Sequence, residues 1–574
     1  MMISIPQTIR CRINNLCRLS VFMLVIFVNG LDRPVIANTN APGATVVATR
    51  PPIDLTRYIL AGRVVTMNAG FVVINNGLVW VENGVIVAVA TSQDELHQVA
   101  AASKLDLASV PQIKVDGDIV PGLIDLHNHP EYAIYPLLPI TRKYKDRYEW
   151  RFYDDNYARR ITNLNTLMAQ PQYFDLALEV GRYGEYKALA GGTTSLQGGR
   201  NFLPYAKEEC LVRNIETSPV TPRPAFSRVD IGRDAEEWKK MADERSRGPI
   251  VIHLAEGVGA RMANEFESLK RSGLLGPELI AIHGVGLTDT QFKEMAAVGA
   301  KLVWSPLSNF MLYGQTANVL AARRAGVNIS LAPDWAPSGS KSSLGELKVA
   351  DLVNKHQFAG AFSDRELVEM VTTNPAAAMG WQGQLGQIAP GYLADLLVMD
   401  RRHDDPYRNL INALEEHVKL VVVRGEALYG DSQLVGELRS SVALEPVNPV
   451  SIVRPRQKVM VANCPNTKLP IMSVAETRSR LQQGLSLDPA YMAKRVSIEQ
   501  FSKDLAICNL GKPNDPPTTE DANKLLACRF QLPFETTVLS PLTTNGDPAF
   551  FQRLLANPNL PTYLRALPDY YRAP

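Results

Sequence analysis

The sequence carries almost no excess of charge. Its 60 lysines and arginines against 58 aspartates and glutamates leave a formal net charge of +2 over 574 residues. Proteins that bind nucleic acid or anionic surfaces through their electric field show a basic excess, so neither partner is indicated. Internal repeats, low-complexity tracts and heptad patterns are missing too. A chain of this length is expected to form several globular domains with large cores.

Long apolar runs are equally scarce. The run near the N-terminus, residues 19–28, is too short to span a bilayer comfortably, and the rest of the sequence predicts no integral membrane domain. Three arginines precede this run and small residues follow it at 35–37, which is the layout of a secretory signal peptide over residues 1–38. The other interpretation is a buried apolar helix. The signal layout predicts an exported protein, either periplasmic or extracellular.

Cysteine is infrequent, with six residues in the chain. Cys11 and Cys17 would be removed with the signal, whereas Cys464, Cys508 and Cys528 cluster in the last quarter. In an oxidising compartment one pair there could form a bridge, and Cys508 with Cys528 is favoured because the loop between them is short. Three free thiols are the alternative, which spacing alone leaves open.

Two distant regions share a β pattern. Strand-like runs lie at 59–67, 77–81 and 85–89, with turn residues at 75–77 and 82–84. Similar short strands return at the other flank of the chain's middle part, at 394–399 and 418–425. We expect the flanks, residues 55–118 and 385–432, to build one small composite β-sandwich around an inserted domain.

The inserted domain, residues 119–384, alternates apolar strand-like runs with helical stretches. This alternation predicts a parallel sheet with crossover helices, and the length suits a (β/α)₈ TIM barrel in an α/β fold. A capping box, Ser363 with Glu366, predicts a helix start. Residues 433–574 are rich in proline with short helical patches, and predict a mainly helical C-terminal extension to which no chemistry can be attached.

Four of the eight histidines fall at the ends of apolar strand-like runs. His127 and His129 follow the first run, at a spacing that puts both side chains on one face of a strand. His253, His283 and Asp334 close three later runs. Active sites of TIM barrels lie where the carboxyl ends of the strands meet, so we expect these side chains to converge.

Three imidazoles and one carboxylate suit Zn²⁺ or a similar ion. We predict His127, His129, His253 and Asp334 as ligands of one divalent metal, with Fe or Mn as alternatives to Zn. The metal would lower the pKa of a bound water towards ~7. Glu256, just past the strand end of His253, is then the predicted proton relay. His283 would polarise a carbonyl or hold the attacking hydroxide, and Asp334 could also accept a proton.

The ordered set of motifs resembles the amidohydrolase superfamily, most closely its mononuclear branch of cytosine-deaminase-like and chlorohydrolase-like enzymes, which includes imidazolonepropionase relatives. The motifs are DLHNHP, IHLAEG, IHGVGL, WSPLSN and LAPDWAPSG. The resemblance covers residues 55 to 430 and implies the same metal ligands, Glu256 as proton shuttle and His283 as the residue that orients water or the substrate carbonyl. The binuclear branch needs a carboxylated lysine on the fourth strand, and residues 193–199 have none, which favours one metal.

Two stretches depart from the family pattern. Trp335 follows Asp334 where small residues are usual, so it could narrow the pocket or offer a stacking surface to substrate. Residues 135–160 are crowded with aromatic residues and arginines, and predict either a lid over the substrate or a solvated loop without a role in specificity. Ser308 and Asn309, after a later strand, are weaker candidates for substrate contact.

The predicted function is hydrolysis of a carbon–nitrogen, non-peptide bond in a small molecule by metal-activated hydroxide. Deamination of an aminated heterocycle and opening of a cyclic amide require the same metal and nearly the same acid–base pair, so both stay open. A different class of function is a catalytically silent barrel that keeps its metal and serves as a binding protein. No cofactor besides the metal is expected, and monomer and homo-oligomer both remain open.

Overall fold

The computed structural model describes residues 55–102, 106–199, 211–220, 223–228, 240, 243, 248–439, 443–447, 457–463, 469–532 and 537–572. The predicted signal peptide and Cys464 lie outside these ranges. Among the described residues, no helix is both long and apolar enough to cross a membrane.

The described strands follow in chain order as β1 Arg57–Val65, β2 Val73–Glu82, β3 Val85–Ala90, β4 Gln112–Pro121, β5 Leu123–Asp125, β6 Thr193–Leu196, β7 Arg213–Asn214, β8 Phe226–Arg228, β9 Ile250–Leu254, β10 Leu279–His283, β11 Lys301–Trp304, β12 Ile329–Leu331, β13 Leu396–Asp400, β14 Val418–Val423, β15 Glu426–Asp431, β16 Leu444–Pro446 and β17 Lys458–Val461.

The two flanks of the chain meet in one sheet. Its order is β16-β17-β15-β14-β13-β4-β1-β2-β3, so β4 from the first flank lies between β1 and β13 and joins the halves. Apolar side chains of the sheet are buried in separate clusters, one around Leu60 and Val79 and one around Trp80. The composite domain is therefore a continuous nine-stranded sheet within the described residues. The C-terminal extension, predicted as mainly helical, supplies its edge strands β16 and β17.

One of the two predicted hairpin turns is confirmed. Asn83 and Gly84 join β2 to β3 and both have positive φ, 49° and 82°, as a two-residue turn of this kind requires. The turn predicted at 75–77 is wrong, because β2 runs straight through it. Gly77 instead allows β2 to pack closely against β1, because a Cβ at this position would lie 2.6 Å from Val64 Cγ2.

The eight strands β5–β12 form the predicted parallel barrel. They hydrogen-bond in the orders β5-β6-β7 and β8-β9-β10-β11-β12. Backbone bonds close the two gaps, from the Ala225 N–H to the Ile215 carbonyl at 2.9 Å and from the Asp334 N–H to the His127 carbonyl at 3.2 Å. The carboxyl ends of all eight strands thereby point to one face.

The apolar run predicted as the first barrel strand, residues 119–126, is divided between two sheets. Residues up to Pro121 belong to β4, and β5 begins at Leu123. Gly122 makes the break, because a Cβ there would lie 2.3 Å from Thr194 Oγ1 on the neighbouring barrel strand. An apolar run cannot reveal where the chain passes from one sheet to the other, because the end of β4 and the start of β5 are both buried and both apolar.

The α-helices of the described residues are Gln93–Ala102, Arg147–Phe152, Asp155–Tyr157, Asn163–Ala169, Ala177–Ala190, Ala260–Arg271, Asp289–Ala297, Pro306–Tyr313, Val319–Ala325, Ser343–His356, Asp364–Glu369, Thr373–Ala378, Pro406–Asn412, Ser432–Leu438, Val474–Leu485, Pro489–Arg495, Ile498–Ile507, Thr519–Leu525 and Pro548–Ala556. Shorter 3₁₀ and π turns cover Leu107–Ser109, Pro130–Tyr132, Ala158–Thr162, Glu415–His417, Leu526–Phe530 and Thr562–Tyr571. The predicted capping box of Ser363 and Glu366 is confirmed.

The C-terminal extension is fastened to the barrel near its active face. A disulfide joins Cys508 and Cys528, the pair that the short loop favoured over three free thiols. The extension then returns to the barrel, where the Ser540 N–H donates to the Ile134 carbonyl at 3.0 Å and Asp547 pairs with Lys341 at 2.6 Å. These contacts lie on the loops that follow β5 and β12.

Candidate metal centre

His127 and His129 are held by a short turn at the end of β5. The Asp125 carboxylate accepts from the His127 N–H at 3.0 Å and from Asn128 Nδ2 at 2.7 Å. Asp125 and His127 are buried. Burial raises the pKa of Asp125 to about 7, and the two hydrogen bonds oppose this shift. The turn fixes the backbone from which the two imidazoles project.

His253 and Glu256 leave the end of β9 in different directions. Ala255 has φ 52° and Gly257 φ 146°, so the backbone turns sharply on both sides of Glu256. The Ala255 N–H is satisfied by Glu265, at 2.9 Å. The turn brings Glu256 past the strand end, beside the histidines, as the i+3 spacing indicates.

His283 and Asp334 also lie at strand ends in left-handed backbone, with φ of 70° and 67°. This conformation costs a non-glycine residue about 1–3 kcal/mol and is found most often at functional sites. The two side chains meet at the barrel mouth, where His283 Nε2 lies 4.0 Å from Asp334 Oδ2.

The predicted residues converge. His127 Nε2 lies 2.9 Å from Asp334 Oδ1, and His129 Nε2 lies 3.8 Å from the same oxygen. The ring centroids of His127 and His253 are 4.7 Å apart. Two groups have ligand atoms that all lie within 4.8 Å of one another, His127 with His129 and Asp334, and His127 with His253 and His283. His127 is common to both groups.

The donors present fit a divalent cation. His127 Nδ1, His253 Nδ1 and His283 Nε2 are buried without a hydrogen-bond partner among the described residues, although buried polar atoms are normally satisfied. Burial lowers the pKa of His253 well below its ordinary value, and lowers that of His127 as well. Neutral imidazoles with free lone pairs are what Zn²⁺ and similar ions bind.

Asp334 supplies the negative charge at this centre. Burial alone would raise the pKa of this carboxyl, but the charge and hydrogen bond of His127, with His283 and His129 nearby, hold the pKa well below its usual range. Burial likewise would lower the pKa of His129, yet the carboxylates of Glu131 and Asp334 hold it above the ordinary value. The site therefore has the negative potential that a cation would neutralise.

His283 has a defined tautomer. Its Nδ1 lies 2.9 Å from Asn309 Oδ1, and Asn309 Nδ2 donates to Thr316 at 3.1 Å, which orients the amide so that Nδ1 must be the donor. Nε2 then carries the lone pair, 3.6 Å from Glu256 and 4.0 Å from Asp334. Burial lowers the pKa of His283 to about 3, so the ring stays neutral.

Glu256 is buried, and each of its two oxygens has a different neighbour. Tyr313 donates to its Oε1 at 2.6 Å, while Oε2 is the oxygen near His283. Burial raises the pKa of Glu256 to about 8, opposed by the positive charge of the buried Arg147. The carboxyl can therefore exist as acid or base near neutral pH, as a proton relay requires.

The weaker candidates have protein partners. Ser308 and Ser338 are hydrogen-bonded at 2.8 Å, and Ser338 also accepts from Trp335 Nε1. Asn309 holds His283 as described. Ser308 and Asn309 are fully buried, so contact with substrate stays a prediction for them, and their visible role is to position neighbouring groups.

Sequence reasoning missed Asp125, Gln197, Tyr313 and the position of Trp150. Gln197 follows β6 and accepts from the Asn128 N–H at 2.9 Å. The assignment of residues 193–199 to the fourth barrel strand is wrong, because β6 is the second strand of the barrel. The fourth strand, β8, has the sequence Phe-Ser-Arg and carries no lysine either. Tyr313 could have been found, because it lies four residues after Asn309 on helix Pro306–Tyr313 and so shares its face. Nothing in the sequence placed Trp150 beside Trp335.

The fold and the cluster together define a (β/α)₈ barrel with a candidate metal centre at the carboxyl ends of its strands. A model described as the amidohydrolase family matches residues 239–428. This part of the chain therefore matches the amidohydrolase family, the family that the motifs resemble.

Relatives and a solved structure agree with this assignment. The chain is 30% identical over 219 residues to a 5-methylthioadenosine/S-adenosylhomocysteine deaminase of Pyrococcus abyssi, a match that covers 35% of this chain and 51% of that protein, about half its length. It is 26% identical over 405 residues to a protein of the same name from Syntrophobacter fumaroxidans, a match that covers 61% of this chain and 89% of that protein. An adenosine deaminase from Xanthomonas campestris, solved with bound zinc, is similar in fold, with a TM-score of 0.51 and 20% identity over 66% of this chain and 93% of that one.

Proposed function

We propose that the chain is a metal-dependent hydrolase that cleaves a carbon–nitrogen bond of a small nitrogen heterocycle, with deamination as the favoured reaction. The observation that carries the proposal is the convergence of the buried His127, His253 and His283, the half-buried His129, Asp334 and Glu256 at one end of the barrel, with ring nitrogens that have no partner in the described part of the chain. The names of the relatives, all deaminases among those given above, support the choice of reaction.

We propose zinc as the metal, held by His127, His129, His253 and Asp334, because a histidine-rich set with one carboxylate suits it. A bound divalent ion would supply Lewis acidity and lower the pKa of a water molecule towards ~7. The described geometry also brings His283 within the range of the ligand atoms. Its free Nε2 lies 3.6 Å from Glu256 Oε2, and we assign it to the attacking water because that carboxylate is the proposed proton relay.

His283 is placed to orient the attacking water. In its tautomer Nε2 can accept a hydrogen bond and cannot donate one, so it holds a water O–H, whereas polarising a carbonyl would require a proton that burial disfavours. The water oxygen forms a bond to the ring carbon. Glu256 Oε2 takes the proton from this water and returns it to the departing nitrogen. The bond from the ring carbon to this exocyclic nitrogen then breaks and ammonia leaves. The second proton of the water moves to the ring nitrogen, so that the ring carbon becomes a carbonyl.

The reaction type can be tested by the nitrogen product. The full chain loaded with zinc is expected to release ammonia from an aminated heterocycle in a panel of aminopurines, aminopyrimidines and aminotriazines, with one ammonia per carbonyl formed. Lactams and hydantoins serve as the matched panel for ring opening, which forms a new carboxylate without ammonia. Hydrolysis in the second panel alone would replace deamination by cyclic amide cleavage, and turnover in neither panel would contradict the proposal.

We also propose that the protein is exported. The arginines and the apolar run within residues 1–38 support this, and the disulfide between Cys508 and Cys528 fits an oxidising compartment. N-terminal sequencing of the protein made in a native-type bacterial host is expected to give a start near residue 39, with the protein outside the cytoplasm. Intact Met1 on cytoplasmic protein would overturn export and leave the catalytic proposal unaffected.

A further inference from the structure

An aromatic cluster lies directly beside the candidate metal centre. Trp335, one residue after Asp334, has its ring 6.4 Å from that of His129. Trp150 is stacked on Trp335, with centroids 5.4 Å apart and planes at 27°. Tyr132 and Tyr157 approach the same indole edge-on, at 5.4 and 5.9 Å. One face of Trp335 is therefore covered by another residue of the same chain.

The two indoles are packed together and buried beside the candidate metal centre. Trp150 and Trp335 are only 8% and 4% exposed. A heterocycle that reaches the metal ligands through this cluster must displace a side chain.

Trp150 is the side chain best placed to leave. It lies on the short helix Arg147–Phe152, and the aromatic residues two and three positions later, Phe152 and Tyr153, are 56% and 79% exposed. The start of this helix is anchored, because Arg147 forms a bidentate pair with the buried Glu265 at 2.8 and 2.9 Å. The anchored residue can act as a hinge, while the end of the helix that carries Trp150 faces solvent.

Trp150 also uses the hydrogen bond that a substrate would need. Its Nε1–H donates to Tyr313 Oη at 2.8 Å, and Tyr313 in turn donates to Glu256, the proposed proton relay. If Trp150 leaves, the Tyr313 oxygen becomes free to accept a new N–H. A planar ring with an N–H or amino donor would reproduce both contacts of the indole, the stacking on Trp335 and the bond to Tyr313.

We propose that Trp150 occupies the substrate's place, and that the substrate is a planar nitrogen heterocycle with an N–H or amino donor that stacks on Trp335 and donates to Tyr313 once Trp150 has swung out. The interpretation of this contact as substrate recognition rests on the proposed function. Residues 135–160 then act as a gate whose own tryptophan mimics the ligand in the closed state.

The test is binding of adenine to the full chain, measured by calorimetric titration without turnover on the Glu256→Gln background. Trp150→Ala is expected to bind adenine about 10-fold more tightly, because the competing internal ligand is gone. Trp335→Leu is expected to bind it some 5- to 100-fold more weakly, since stacking on a base is lost. Phe152→Ala, an exposed aromatic on the same helix, is the matched control and should leave the affinity unchanged.

Tryptophan fluorescence gives a second measurement that does not need the alanine variant to fold. Adenine should shift the emission of the wild-type chain to longer wavelength as Trp150 becomes solvated, and Trp150→Phe should lose this shift. Equal or weaker adenine binding by a folded Trp150→Ala chain, or a shift that persists in Trp150→Phe, would overturn the inference. If heterocycles release ammonia but adenine binding is unaltered in both tryptophan variants, this inference alone is contradicted. If adenine binds as predicted but no heterocycle is hydrolysed, the proposed function alone is contradicted.

Discussion

Replacing Glu256 by glutamine is expected to lower kcat by about 10²- to 10⁴-fold, the usual contribution of a positioned acid–base group. The amide keeps the size of the side chain, and its oxygen can still accept the hydrogen bond that Tyr313 gives to Oε1. It cannot take up a proton from water or deliver one to the leaving nitrogen. The fold should survive, because the variant loses a buried carboxyl whose pKa burial has already raised to about 8.

Metal content and kcat must be measured together for this variant. Glu256 is not among the proposed ligands, so zinc per chain should equal that of the wild type while turnover falls. Glu267→Gln is a suitable control, because this glutamate is exposed on the helix that follows β9 and should keep full activity. Full turnover by the Glu256 variant would instead contradict its role as relay. Binding of metal and ligand by a wild-type chain that turns nothing over would favour the silent binding protein.

The residues of the candidate metal centre were predictable because their signal is local. A parallel strand buried on both faces reads as an apolar run, so its end is visible in the sequence, and His253, His283 and Asp334 each stand at such an end. The barrel then brings these ends together whatever the details of the helices. The positions of the strand ends and their convergence in a barrel are therefore enough to predict which residues cluster.

The contacts around the cluster were not predictable in the same way. Trp150 meets Trp335 across 185 residues of chain, and the meeting depends on a turn of helix Arg147–Phe152 that Asp146 caps. The interruption at Gly122 was missed for a similar reason, since it is the neighbouring Thr194 that excludes a side chain there. Such features are set by long-range packing, which hydrophobic periodicity does not encode.

The lining of the site divides between residues that act and residues that position them. Asn309 fixes the tautomer of His283 and Tyr313 fixes one oxygen of Glu256, and both come from the same face of helix Pro306–Tyr313. Arg147 joins the gate segment to β9 through Glu265. The helix after β11 and the segment after β5 therefore position the proposed acid–base pair, while the strand ends carry the proposed metal ligands.

Replacing His127 by alanine is expected to abolish stoichiometric zinc binding and, with it, turnover. This imidazole contacts Asp334 at 2.9 Å and belongs to both groups of candidate ligands. Neither group can therefore bind the metal fully when His127 is removed. Loss of one direct ligand should weaken zinc binding by more than the roughly 10- to 100-fold that removal of a supporting residue costs. Elemental analysis after dialysis against a weak chelator measures this directly, with circular dichroism to confirm folding.

Two further variants decide which histidines complete the site. His283→Ala should keep its zinc and lose activity, because its ring is held by Asn309 and is proposed to orient water, whereas His253→Ala should lose zinc as His127→Ala does. His97→Ala is the control, since this histidine is exposed and bonds only to the backbone of its own helix. Zinc retained by a folded His127→Ala chain would refute the proposed centre. Zinc lost from His283→Ala and retained by His129→Ala would instead assign the metal to the group formed by His127, His253 and His283, because the two groups share only His127.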